Sequence, residues 1–165
     1  MKALVAGMGN VLRGDDGFGV VVANYLLERP APEGVEVVEL GIGGIHLVQQ
    51  LLHEPVDALV VIDAVDVGRP PGTVVVLEPD VVDVRAMSLR ERHDRLADMH
   101  YATPERAFML ARALDRLPGR LWIVGCQPED AEGLGRPLSP LVAGAVEAAA
   151  REVRRLVSDL GIAWD

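Results

Sequence analysis

Apolar and polar positions along this chain alternate between two rhythms. Short apolar runs at residues 2–6, 35–40, 58–62 and 121–124 have strand length. The run at 58–62 is unbroken until Asp63, as expected for a strand covered on both faces. Between the runs lie stripes of helical period. Phe18, Val21, Val22, Tyr25 and Leu26 mark a first helix that stops before Pro30 and Pro32. Gly41-Ile42-Gly43-Gly44 leads into a second, through Leu47, Leu51 and Leu52. Thr103 followed by Pro104 is a cap-then-proline start, after which Ala107, Leu110, Ala111 and Leu114 keep the period. Ser139-Pro140 repeats that start ahead of a long terminal helix striped by Val142, Ala145, Val146, Ala149, Val153 and Leu156.

Two stretches break this rhythm. Pro70-Pro71-Gly72 turns the chain into residues 73–77, a strand returning antiparallel or lying at an edge. Residues 79–98 are charged and without period, carrying Arg85, Arg90, Glu91, Arg92, His93, Asp94 and Arg95; they read as a mobile surface segment with some helix. Strands alternating with helices predict an α/β fold, a mostly parallel sheet with helices on both faces. No repeat and no linker divides the chain, so one domain spans residues 1–165.

Composition narrows the chemistry. A 165-residue chain that is 50% hydrophobic can bury a substantial core, and its net charge of −9 argues against nucleic acid and against an anionic membrane surface. No apolar run approaches the roughly 20 residues of a membrane span, and no cleavable leader precedes the first strand, so a cytoplasmic protein is expected. Cys126 is the single cysteine, which rules out an internal disulfide; before Gln127-Pro128 it reads as a small buried hydrophobe. Lys2 is the only lysine, which removes a P-loop lysine and a Schiff-base lysine. Ser88, Ser139 and Ser158 lie in no nucleophile elbow, and no H-E-x-x-H occurs.

The candidate chemistry sits in the loop after the first strand, Gly7-Met8-Gly9-Asn10-Val11-Leu12-Arg13-Gly14-Asp15-Asp16-Gly17-Phe18-Gly19. It has the glycines of a phosphate cradle, but two aspartates stand where the helix should begin and would repel an anion. Glu39 occupies the place of a ribose-binding acid, yet the third glycine of G-x-G-x-x-G is displaced, so a dinucleotide site is the weaker reading. A carboxylate on a glycine turn suits a cation. In an open parallel sheet the crevice lies at the carboxyl ends of the strands, and three polar groups fall there: Asp16, Asp63 and His100. Two carboxylates and an imidazole suit a borderline divalent metal and leave positions for substrate. Asp15 reads as a helix cap, and Asn10 as closing its own turn with a substrate contact equally open. His93 is a rival to His100, while His46 and His53 read as ordinary helix residues.

These residues resemble a known family. Gly7-x-Gly9-Asn10-x-Leu12-x-Gly14-Asp15-Asp16-Gly17-x-Gly19 is similar to the N-terminal signature of the nickel–iron hydrogenase maturation endopeptidases. Asp63-Ala64, Pro71-Gly72-Thr73, Val124-Gly125-x-Gln127-Pro128-Glu129 and Leu138-Ser139-Pro140 follow in the family's order, so the likeness covers essentially the whole chain. It implies a three-layer fold around a five-stranded twisted sheet. It further implies an aspartyl-type endopeptidase that trims the C-terminus of the hydrogenase large-subunit precursor. Carried over by motif, Asp16, Asp63 and His100 are the catalytic and nickel-binding residues, with the nickel supplied by the precursor and no organic cofactor. The pattern favours His100 over His93, although Asp98-Met99-His100-Tyr101 departs from the Ser-x-His run of some relatives, and Asp16 stands where others have glutamate. A monomer is expected. A non-proteolytic nickel-binding assembly factor and a nucleotide-binding α/β module are the alternatives.

Overall fold

The computed structural model describes residues 1–96 and 103–165. Five strands form one sheet: β1 (Ala3–Met8), β2 (Val35–Gly41), β3 (Ala58–Ala64), β4 (Val74–Leu77) and β5 (Arg120–Cys126), in the order β2-β1-β3-β5-β4. All pairings are parallel except that of β4, which runs antiparallel to β5 at the edge, as the proline–glycine turn before it predicts.

Both faces of the sheet are covered, and the pleat divides the core in two. Ala3, Val5, Val60, Ile62 and Val124 face helices α1 (Phe18–Leu27) and α6 (Val146–Asp159). Leu4, Ala6, Leu59, Val61 and Ile123 face α2 (Gly44–His53) and α4 (Pro104–Ala113). This is the expected three-layer α/β architecture, and it explains why β1 and β3 read as continuous apolar runs. Among the described residues no helix is long and apolar enough to cross a membrane.

Several elements depart from the sequence reading. β1 does not stop at residue 6: Gly7 and Met8 stay paired until the register with β2 jumps past Leu40. On α1 the inward face is Phe18, Gly19, Val20, Val22, Ala23 and Leu26, while Val21 turns outward. The helix is rotated because it lies directly on the sheet, where a side chain at Gly19 would meet the carbonyl oxygens of Ile62 and Met8 at 2.0 and 2.3 Å. On α2, Val48 rather than Leu52 is buried. Residues 79–96 are anchored by Val81 and Val84 in the second core, and they carry a 3₁₀ turn (Val84–Ala86) and α3 (Leu89–Leu96). The terminal helix is two: α5 (Pro140–Ala143) is separated from α6 by a bend at Gly144 and Ala145.

Candidate active site

β1 sends its connection to β2 on one side of the sheet, and β3 sends its own to β4 and β5 on the other. The crevice of an open α/β sheet forms at such a divergence, at the carboxyl ends of the two strands. A cleft of about 410 Å³ lies there, with Asp16 and Asp63 in its wall beside Met8, Gly9, Asn10 and Arg13, facing Gly41, Ile42, Thr103 and Pro104. Two of the three expected site residues therefore meet. His100 lies outside the described residues, three positions before Thr103. His93 is exposed on α3, and the described walls of the cleft do not include it.

Each acid is held by one backbone donor. Asp16 follows the glycine turn on a 3₁₀ turn (Gly14–Gly17), and its Oδ2 accepts from the Asn10 N–H at 3.0 Å. Asp63 is the penultimate residue of β3, and its Oδ1 accepts from the Ala64 N–H at 2.9 Å. The second oxygen of each has no partner among the described residues. Gly9 makes the approach possible: at φ +130° it lies so close to the chain that a Cβ would meet the Asp16 carbonyl oxygen at 1.8 Å and Asp63 Oδ1 at 3.7 Å. Asn10 closes its own turn as expected, its Oδ1 accepting from the Leu12 N–H at 2.9 Å.

The electrostatics are unbalanced. Burial pushes the Asp63 carboxyl well above the usual carboxylate range; the negative charge of Asp16, and then Glu105 on the first turn of α4, push it further. Arg13, the basic side chain in the described wall, is ion-paired to Glu132 instead. A half-buried acid pair with no cationic partner among the described residues, each acid with an oxygen open there, has the donor chemistry for a divalent cation. Two carboxylates do not complete a resident site, and among the described residues no three His, Cys, Asp or Glu side chains gather as a metal set.

Asp15 corrects the sequence reading. Its side chain caps no helix; it is fully buried and reaches across to the chain after β5. Oδ2 accepts from the N–H groups of Glu129 and Asp130 at 2.9 Å and from the Ser139 hydroxyl at 2.9 Å, and Oδ1 accepts from the Ser139 N–H at 2.6 Å. Burial alone would raise its pKa, but these donors outweigh it and hold the carboxyl below its ordinary value. Ser139 accordingly spends its hydroxyl on Asp15 rather than on capping α5.

Gln127, a member of the Val124-Gly125-x-Gln127-Pro128-Glu129 motif, braces the neighbouring loop. Its Oε1 accepts from Val67 and Arg69 N–H at 2.8 and 3.2 Å, and its Nε2 donates to Asp66 at 3.1 Å. Cys126 is buried as expected, with burial foremost in pushing its thiol up to about 11, which leaves it no nucleophile at neutral pH. Glu39 lines a separate surface depression with His46 and His53, none of which reaches the acid cleft, so the dinucleotide constellation does not assemble.

Comparison with known proteins bears on what this cleft does. A family model described as hydrogenase maturation protease (HycI) matches residues 20–156. The hydrogenase expression/formation protein HupD of Rhodobacter capsulatus is 35% identical over 162 residues, covering 98% of this chain and 73% of that one. HoxM of Azotobacter vinelandii is 34% identical, covering 96% and 73%. The hydrogenase maturating endopeptidase HybD from E. coli superposes with a TM-score of 0.78 at 26% identity, covering 99% of this chain and 96% of its own. A hydrogenase 2 maturation peptidase from Thaumarchaeota archaeon SCGC_AB-539-E09 gives 0.68 at 31% identity, covering 96% and 99%.

Proposed function

This chain belongs to the hydrogenase maturation protease family and is a peptidase, and from that premise we propose that it removes the C-terminal extension of a nickel–iron hydrogenase large-subunit precursor only after nickel has been inserted. The observation that carries the nickel requirement is the Asp16–Asp63 pair. The two acids line one cleft, and among the described residues each keeps an oxygen without a partner and no basic side chain is ion-paired with them.

In this reading the nickel arrives with the substrate. Asp16, Asp63 and His100 complete its coordination, which joins the enzyme to the loaded precursor and orients the scissile peptide beside the acids. Hydrolysis then adds water across the amide: hydroxyl to the carbonyl carbon, proton to the leaving amine, with the cation or a carboxylate polarising the water. An empty precursor offers no ion to the acid pair and is not held. The enzyme acts as a cytoplasmic monomer with no organic cofactor.

Intact-mass measurement of a nickel-loaded precursor and a nickel-free control, each incubated with this protein, tests the proposal. Loss of a C-terminal peptide only in the loaded sample is expected, and Asp16→Ala should abolish it with the fold retained. Cutting of both samples overturns the nickel requirement. An unchanged mass with a cognate loaded precursor overturns the processing reading and leaves a nickel-binding assembly role.

A further inference from the structure

Among the described residues, seven large apolar side chains are exposed over more than half of their surface, and four of them lie in loops beside the acid cleft. Ile42 (60%) lines the cleft, Val11 (55%) and Leu12 (65%) stand on its edge and Leu134 (78%) is joined to that edge, whereas Met1, Leu89 and Leu141 are exposed on other segments. Val11 and Leu12 lie between Asn10 and Arg13, both of which line it. Leu134 comes from the chain after β5 and is bridged to Arg13 in antiparallel fashion. Clustered exposed aliphatics of this kind mark a surface that is covered in use.

The rim is also braced. Asn10 Oδ1 accepts from the Leu12 N–H, the Leu12 carbonyl accepts from the Gly135 N–H at 2.9 Å, and Arg13 is ion-paired to Glu132. Two exposed leucines are thus presented by loops tied to each other, which lowers the ordering cost of binding.

The cleft's size says what must lie on this rim. About 410 Å³ admits one short stretch of polypeptide. A folded substrate that brings a bound metal down to Asp16 and Asp63 must rest its body on the surface around the mouth. We infer that Val11, Leu12 and Leu134 are the docking rim for the precursor, receiving an apolar stretch of its polypeptide that flanks the metal-bearing segment. The inference rests on the processing reading above. A second copy of this chain fits the rim poorly, because two copies joined there would close both clefts and oppose two acid pairs on chains of net charge −9. An apolar seal around the acids has a chemical consequence too: excluding water strengthens the attraction between carboxylates and cation.

The test is steady-state cleavage of nickel-loaded precursor by the Leu12→Ser/Leu134→Ser double variant. Loss of docking that is equal in ground and transition states raises KM by about thirtyfold and leaves kcat within about twofold. Leu27→Ser, a 49%-exposed leucine at the end of α1 far from the cleft, should leave both constants unchanged. Thermal melts of both variants should match the parent, since the altered side chains are exposed. A double variant with parental KM overturns the rim, as does a fall in kcat alone. Parental cleavage accompanied by loss of a dimer would assign the patch to self-association instead. If the parent protein itself leaves the loaded precursor uncut, the processing reading fails and the inference with it, an outcome distinct from a cutting parent with an unaffected variant.

Discussion

Replacing Asp15 with alanine should cost this protein a large share of its stability although no active-site contact is removed. The carboxylate is fully buried and accepts four hydrogen bonds, three from backbone N–H groups and one from the Ser139 hydroxyl. A hydrogen bond to a charged acceptor contributes about 1.5–3 kcal/mol net. Glu129 is exposed and Asp130 and Ser139 are half-buried, so water re-satisfies part of what alanine abandons. Four bonds at the low end would amount to about 6 kcal/mol, and recovery of about a third of that by water leaves a loss of about 4 kcal/mol, which for a chain of this size lowers Tm by about 8–16 °C. Urea unfolding at pH 7, followed by the fluorescence of Trp122 and Trp164, measures it. The sign with pH is fixed. Because the folded-state pKa is depressed, the contribution is present above the unfolded aspartate value and is lost as pH falls through the folded one. The gap between parent and variant should therefore narrow in acid. In the Asp15→Ala background, Ser139→Ala should cost less than it does alone, by about 1 kcal/mol. A Tm loss under about 3 °C at pH 7, or additive effects of the two substitutions, would refute the argument that this carboxylate ties the β1 loop to the chain after β5.

Asp63 should behave in the opposite way. Its folded pKa is raised, so the folded state holds the proton more tightly and stability falls as pH rises from the unfolded value toward the raised one. Asp63→Asn removes that loss: Tm at pH 7 should rise, while precursor cleavage disappears. A lower Tm in calorimetry would contradict the charge imbalance. Gly19→Ala inserts a methyl against the Ile62 and Met8 carbonyl oxygens at 2.0 and 2.3 Å, with backbone on every side and nothing free to yield. It should destabilise by about 3 kcal/mol, and a denaturation midpoint equal to the parent's would show that α1 is not seated directly on the sheet.

Much of this architecture is legible in the chain because burial on both faces writes a simple pattern. An apolar run closing on Asp63 announces a central strand and the acid that its end brings to the cleft. Residues whose partners are distant in sequence are less readable. Val21 and Val20 exchange places on α1 because Gly19 and Ala23 let the helix roll onto the sheet, a rotation the spacing of valines does not encode. The terminal helix breaks at Gly144 although Val142, Ala145 and Val146 keep an apolar rhythm through the bend. Gln127 stands in the sequence only as a motif member, because the loop at 66–69 that it braces is distant in the chain.

Asp15 and Asp16 make the limit plain. They are identical and adjacent in the glycine loop, and the sequence reads the first as a helix cap and the second as a ligand. What separates them is supplied from the other end of the chain. Ser139, Glu129 and Asp130 bring four donors to Asp15 and leave it no capacity for a ligand. Asp16, one residue on, lines the cleft and receives a single N–H among the described residues. Saturating the first acid anchors the turn that presents the second. If Asp16 serves as the proposed ligand, its turn must be held by something other than its own carboxylate oxygens, and the Asp15 hydrogen bonds provide that hold. The doubled aspartate is thus a division of labour, one side chain spent on position so that its neighbour stays available for chemistry.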